Sequence, residues 1–252
     1  MLATRRSGSN LLLDCLNSVP GVSFGSEVLH DRMYYGVRRR WISKRAVLRH
    51  IAYSLNDCKE RICGCKIIML RMQWHRLTVS DLVEAFPNAR FIILYRKSLI
   101  DQFVSLRIAE VTGEWVGNGK AQSPPRVHVD LESLKVWAQS VRDFYAELLR
   151  SPGIRGRSVV ISYEELTADL QKTFDQALFP FLQLPPSPVA TQLKKQNTRP
   201  LSETVENYGE IEPLLTDPNF RLDIKYPMML STQLLTSMTS VLTTISALVG
   251  AS

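Results

Sequence analysis

The chain of 252 residues reads as an α/β protein with a mainly parallel sheet flanked by helices. Three observations lead there. Arg90-Phe-Ile-Ile-Leu-Tyr95 is a continuous apolar run of the kind a strand covered on both faces requires. Strand-like and helix-like segments alternate throughout. Near the start, an apolar segment and an amphipathic one are joined by Arg5-Arg6-Ser7-Gly8-Ser9-Asn10, a basic Ser/Gly junction that suits an anion at a helix N-terminus.

Taken in order, Met1 to Thr4 is a very short strand, and Ser9 to Asn17 a helix with Leu12, Leu13 and Leu16 inward. Ser7 or Ser9 is the expected N-cap, because a hydroxyl there can accept from a first-turn N–H. Val19-Pro20-Gly21 ends the helix. Ser43 to Leu55 is helical, Lys66 to Leu70 a buried strand, and Leu77 to Phe86 a helix stopped by Pro87-Asn88. Leu99 to Val111 is the next helix. Thr112 to Val129 carries Gly113, Gly117, Gly119, Pro124 and Pro125 and is expected to be a long exposed loop, the kind that forms lids and binding segments. Leu131 to Leu149 is a long amphipathic helix, Ser158 to Ser162 a strand and Glu165 to Leu182 a helix, followed by a turn at Leu184-Pro-Pro-Ser-Pro188.

After Lys225 the character changes. No charged side chain follows, and Leu234, Met238, Val241, Leu242, Ile245, Leu248 and Val249 recur at helical spacing opposite Ser and Thr. The division expected is a domain over 1–225 and an uncharged amphipathic tail over 226–252. The tail is too polar for a membrane span; packing on the domain or a partner is the first reading, and membrane contact the second.

Composition narrows the class. With 45% apolar and 22% charged residues the chain is an ordinary globular one, and no repeat divides it. A net charge of +7 and a pI near 9.3 favour an anionic partner. Its four cysteines, Cys15, Cys58, Cys63 and Cys65, show no zinc spacing, so no structural metal is expected. Cys63-Gly64-Cys65 leads into an apolar strand and reads as reduced, partly buried thiols, and a cytoplasmic compartment fits. Arg5 and Arg6 arrive before an apolar signal segment could form.

The basic turn is not a Walker A loop: it has no first Gly and no Lys before Ser. Its physics is nonetheless the same, with backbone N–H groups, the hydroxyls of Ser7 and Ser9, and a cation available to a tetrahedral oxyanion. A second anion site is expected where the clearest strand delivers Arg96 to its carboxyl end, with Ser105 two turns into the next helix. Taken singly, Arg96 is equally a surface charge at a helix start, and Ser105 an ordinary helix serine.

Together "TRRSGSNLL" and "RFIILYRKSLIDQFVSLRIA" resemble the sulfotransferases that use 3'-phosphoadenosine 5'-phosphosulfate. "VLHD" after "FGSE", then "CGCKI", "VVISYEEL" and "KKQNTRPLSETVENYGEI", are similar to segments of the bacterial carbohydrate enzymes of the nodulation-factor and trehalose types, in the same order. The likeness spans roughly residues 2 to 212. It implies a P-loop-like fold, that nucleotide as sulfuryl donor, no required metal, and a hydroxyl-bearing acceptor, a glycan or glycolipid. Arg6, Ser7, Gly8, Ser9 and Asn10 would hold the 5'-phosphosulfate, Arg96 and Ser105 the 3'-phosphate, and Arg199 would lie in a late loop closing over the nucleotide. Arg5 stands where the family usually has Pro, and the first strand is shorter than usual.

The resemblance also makes Glu27 the candidate base, with His30 and Asp31 as rivals. A carboxylate beside Arg6 would have its pKa lowered, so Glu27 is expected to face the acceptor side instead of pairing with that cation. Lys66 is either a second cation facing the site or a strand-edge lysine. Trp115, Asn118 and Lys120 of the long loop are candidates to meet a sugar. Two other classes stay open. A phosphoryl transferase would want a Walker lysine and magnesium ligands; a nucleic-acid module would use Arg38, Arg39, Arg40, Lys44, Arg45 and Arg49 around Trp41, a patch that serves equally as a solvated helix face or a guide for an acidic glycan.

Overall fold

The computed structural model describes residues 1–30, 43–116, 125–193 and 199–224. The tail over 226–252, Asp31, the arginines at 38–40 with Trp41, and the loop residues Asn118 and Lys120 lie outside the described residues.

In chain order the elements are β1 (Leu2–Ala3), α1 (Ser9–Asn17), β2 (Val22–Glu27), α2 (Lys44–Asn56), β3 (Ile62–Ile68), α3 (Met69–Trp74), α4 (Val79–Ala85), β4 (Phe91–Tyr95) and α5 (Leu99–Thr112). Then follow α6 (Leu131–Arg150), α7 (Pro152–Arg155), β5 (Ser158–Ser162), α8 (Tyr163–Ala168), α9 (Leu170–Thr173), a π-helical turn at Phe174–Leu178, and α10 (Phe179–Leu182). The five strands form one parallel sheet in the order β2-β3-β1-β4-β5.

Alternation along each strand divides the core between two faces. Ala3, Ile68, Ile92, Leu94, Val159 and Ile161 pack with Leu12 and Leu16 of α1 and with Phe174 and Phe179. Leu2, Ile67 and Ile93 pack on the opposite face with Val47, Ile51, Met72, Leu82, Phe103 and Leu134. The short β1 sits between β3 and β4, so its carboxyl end, where the basic turn begins, opens at the middle of the sheet.

Several elements depart from the sequence expectation. VSFGSE forms β2, although Gly25 and two serines give it little strand character; its pairing with β3 supplies what propensity does not. β3 starts before Lys66 and ends at Ile68, while Met69 and Leu70 turn into α3. The helix expected over 165–182 begins at Tyr163 with a Ser162–Glu165 capping box and is interrupted at Asp169, whose backbone is extended and whose side chain caps α9. The expected loop over 112–129 is not exposed throughout: Val127 and Val129 are buried, Val127 bridging Val205 and Val129 donating its N–H to Asn207.

Cysteine chemistry is also corrected. Cys58 and Cys63 form a disulfide, their Cα atoms 6.0 Å apart, because the turn between α2 and β3 folds one back on the other. Cys15 and Cys65 are free and buried, and burial pushes both thiols up, Cys15 to about 11.

A buried hydrogen-bonded chain fixes the end of β1. Gln102 of α5 donates to Thr4 Oγ1 (2.7 Å) and to the Arg5 carbonyl (2.6 Å). The Thr4 hydroxyl lies 3.1 Å from the Tyr145 hydroxyl, which donates to the Leu94 carbonyl at 2.7 Å. Tyr145→Phe leaves Thr4 and Leu94 each short of a partner in a dry interior. Stability should fall by about 1–3 kcal/mol, read in thermal unfolding as a Tm lower by roughly 3–10 °C.

Candidate active site

The basic turn folds as a left-handed crossing into α1. Arg6 has φ 62° and Gly8 φ 89°. Gly8, and neither serine, is the N-cap, and it offers no side chain to take up the first-turn N–H groups. Those groups have no intrahelical acceptor, so the helix start is left ready for an anion. Only glycine fits at this position: a Cβ there would meet Tyr163 Cδ2 at 2.4 Å in addition to the positive φ. Ser7 is fully buried, and its Oγ donates to the Thr4 carbonyl at 2.9 Å, so its hydroxyl fixes the turn from beneath.

A cavity of about 360 Å³ opens above this turn. Arg6, Gly8, Ser9 and Asn10 line it together with Arg96, Ser105 and Arg199, so residues from three distant parts of the sequence meet in one place. Leu11, Val104, Leu166, Leu170, Leu193 and Leu201 also line it, with Asp101, Thr167 and Thr191, so the pocket combines cations with apolar and polar surface. Arg6 Nε donates to Ser105 Oγ at 3.0 Å, and its Nη1 to the Trp115 carbonyl at 2.8 Å. The two anion sites expected from sequence therefore touch.

Charge is concentrated here against its own repulsion. Burial, and then the Arg96 charge, lower the pKa of Arg6. The Arg96 side chain lies over the Tyr163 ring, 4.9 Å from its centroid, and its buried Nε has no hydrogen-bond partner, with a Glu164 oxygen 4.0 Å away. A buried guanidinium N–H aimed at no acceptor, next to a second arginine, is the arrangement an anionic ligand relieves.

Glu27 closes β2, where a loop position was expected, and does not line this cavity. Its Oε2 lies 3.8 Å from Arg71 Nε, so the cation beside it comes from α3. His30 follows in the turn, its N–H donating to the Glu27 carbonyl at 3.1 Å. Lys66 is not at a strand start but well inside β3, only 6% exposed, and its Nζ donates to Asn10 Oδ1 at 2.5 Å. Trp115, a candidate to meet an acceptor sugar, lines the cavity above the turn and accepts a bond from Asn10 Nδ2 at 3.4 Å through its carbonyl. Sequence reading missed Tyr163, Gln102 and Tyr145. Only the position of Tyr163 just after a strand end gave any signal; the other two support the turn from helices far away in sequence.

Fold and site together define an α/β protein with a basic, glycine-capped turn and a cavity above it at the centre of a parallel sheet. Comparison with known proteins gives the family. The description "Sulfotransferase family" matches residues 1–188, and the chain belongs to that family; it is a sulfotransferase. Two sequences named Nodulation protein H, from Rhizobium meliloti and from its strain 1021, are each 27% identical over 222 and 224 residues, covering 84% of this chain and 88% of theirs. A sulfotransferase crystal structure from Alicyclobacillus acidocaldarius aligns with a TM-score of 0.47 at 12% identity, covering 78% of this chain and 86% of that one. Family membership replaces the phosphoryl-transferase and nucleic-acid readings. No described helix is long and apolar enough to cross a membrane.

Gly8→Ala tests the turn. The added methyl must displace Tyr163 and hold a left-handed backbone costing about 1–2 kcal/mol. Affinity for adenosine 3',5'-bisphosphate in calorimetry should fall at least about tenfold, since 1.4 kcal/mol is that factor, with unchanged far-ultraviolet circular dichroism.

Proposed function

We propose that this sulfotransferase moves a sulfuryl group from 3'-phosphoadenosine 5'-phosphosulfate to a hydroxyl of a carbohydrate or glycolipid by in-line displacement. One observation carries the reading: Arg6, Arg96 and Arg199 line a single cavity together with several leucine and valine side chains, which suits a nucleotide bearing anionic groups at two positions. The residues fit such a donor, since Arg96 Nε lacks an acceptor and Gly8 leaves a backbone cradle where a Cβ would collide. The resemblance of the sequence to bacterial carbohydrate sulfotransferases supports a carbohydrate-bearing acceptor.

The division of labour follows from charge. The first-turn N–H groups of α1, Ser9, Asn10 and Arg6 bind the phosphosulfate end, with Ser7 bracing the turn. Arg6 neutralises charge growing on the leaving oxygen; such electrostatic stabilisation is the main protein contribution to this class of transfer. Arg96 and Ser105 take the 3'-phosphate, and Arg199 closes the pocket. Glu27 removes the acceptor's proton, with Arg71 beside it on α3. The donor supplies the sulfuryl group. The whole of this chemistry belongs to the domain over 1–225.

Adenosine 3',5'-bisphosphate should bind far more tightly than adenosine 5'-monophosphate. Arg96→Ala should remove about 1.5–3 kcal/mol of that preference; equal affinities in calorimetry would sink the donor assignment. In a panel of trehalose, a chitin tetramer and a glycolipid with labelled donor, Glu27→Gln should lower kcat by about 10²–10⁴-fold and leave nucleotide affinity unchanged. Turnover that survives Glu27→Gln and collapses in His30→Ala would move the base to the histidine. Removing 226–252 should leave nucleotide affinity within a few-fold.

A further inference from the structure

Glu27 and the donor turn lie on different strands with β3 between them, and Lys66 occupies that gap. The register explains how. β2 and β3 pair in step from Val22 opposite Ile62 to Gly25 opposite Cys65, then shift, so that Glu27 stands opposite Lys66. Had the two strands stayed in step, Ser26 would stand opposite Lys66 and Glu27 opposite Ile67, on the other face of the sheet. Bulges of this kind re-aim side chains beside active sites. Matched positions on neighbouring strands are about 4.8 Å apart and share a face.

Lys66 is buried, and its ammonium needs partners. It has Asn10 Oδ1 at 2.5 Å and the Glu27 charge nearby; burial lowers its pKa while Glu27 acts in the opposite direction. Arg71 on α3 is the other cation near Glu27, and Arg5, after β1, feels the charges of both. Lys66 thus has Asn10 of the donor turn on one side and the candidate base on the other.

We infer that Lys66 is a positioning residue: the Ser26 bulge aligns Glu27 with its ammonium, and the bond from that ammonium to Asn10 ties the carboxylate to the donor turn. The inference rests on Glu27 being the base. Lys66 keeps Glu27 from collapsing fully onto Arg71 and sets its distance from the transferring group. Misplacement by an ångström is enough to cost such a reaction about 10²-fold.

The test is a double-mutant cycle of Lys66→Met and Glu27→Gln on the full chain. The readout is turnover of labelled donor to whichever panel acceptor is sulfated fastest, or to water where none is, alongside adenosine 3',5'-bisphosphate affinity. Lys66→Met should lower kcat at least about tenfold with nucleotide affinity within about threefold, and the double variant should be no slower than Glu27→Gln, because residues acting as one unit are not additive. Lys66→Arg should recover part of the rate by restoring the charge. If Lys66→Met does not fold, Lys66→Gln, which still donates to Asn10, takes its place in the cycle. Additive losses, or a Lys66 loss confined to nucleotide affinity, or no loss at all, overturn the inference while leaving Glu27 as base. Full turnover in Glu27→Gln overturns both.

Discussion

The basic turn depends on a largely buried hydrogen-bonded chain beneath it. Gln102 holds Thr4 and the Arg5 carbonyl from α5, Tyr145 of α6 meets the Thr4 hydroxyl and donates to the Leu94 carbonyl of β4, and Ser7 closes the turn onto Thr4. Two helices and a strand are thereby referred to one point at the carboxyl end of a two-residue strand. Such a network is stabilising when satisfied and costly when broken, which makes the turn a rigid platform. A rigid platform is what an anion site needs, because N–H groups already aimed at the ligand require no reorganisation on binding.

Upon that platform the protein places charges that do not stabilise the fold. Arg6 and Arg96 face one cavity, and burial works against the charge of Arg6. Tyr163 serves both ends of the arrangement: its ring lies under Arg96 and against Gly8, so the cation and the tightest point of the turn share one aromatic wall. Just after it, Glu164 accepts from the Lys97 N–H and Glu165 caps α8.

The proposed base, Glu27, sits on the sheet edge. β2 is an outer strand of weak propensity, and it bulges where it carries its carboxylate. An edge strand tolerates an extra residue because only one neighbour must adapt. Lys66 on the adjacent inner strand then joins that edge to the turn. The core beneath is continuous on both sides of the sheet, so these polar contacts sit on a packed floor.

The sequence by itself determined the α/β class, the run Phe91–Tyr95, the helix starting at Leu99, the strand Ser158–Ser162 and the basic turn at Arg6–Asn10, because periodicity, charge and turn chemistry are local properties that neighbouring residues carry. Its resemblance to known sulfotransferases drew the distant segments into one reading before any coordinates. Tertiary structure decided what depends on residues far apart. The strand at Val22–Glu27 exists through its partner β3, the disulfide of Cys58 and Cys63 through a turn, and the inward role of Ser7 through the packing beneath it. The contact of Arg6 with Ser105, the wall made by Tyr163 and the alignment of Glu27 with Lys66 arise where separate strands and helices are brought side by side. No local pattern encodes a register shift or a meeting of two helices, since each is fixed by the fit of surfaces that only the folded chain possesses.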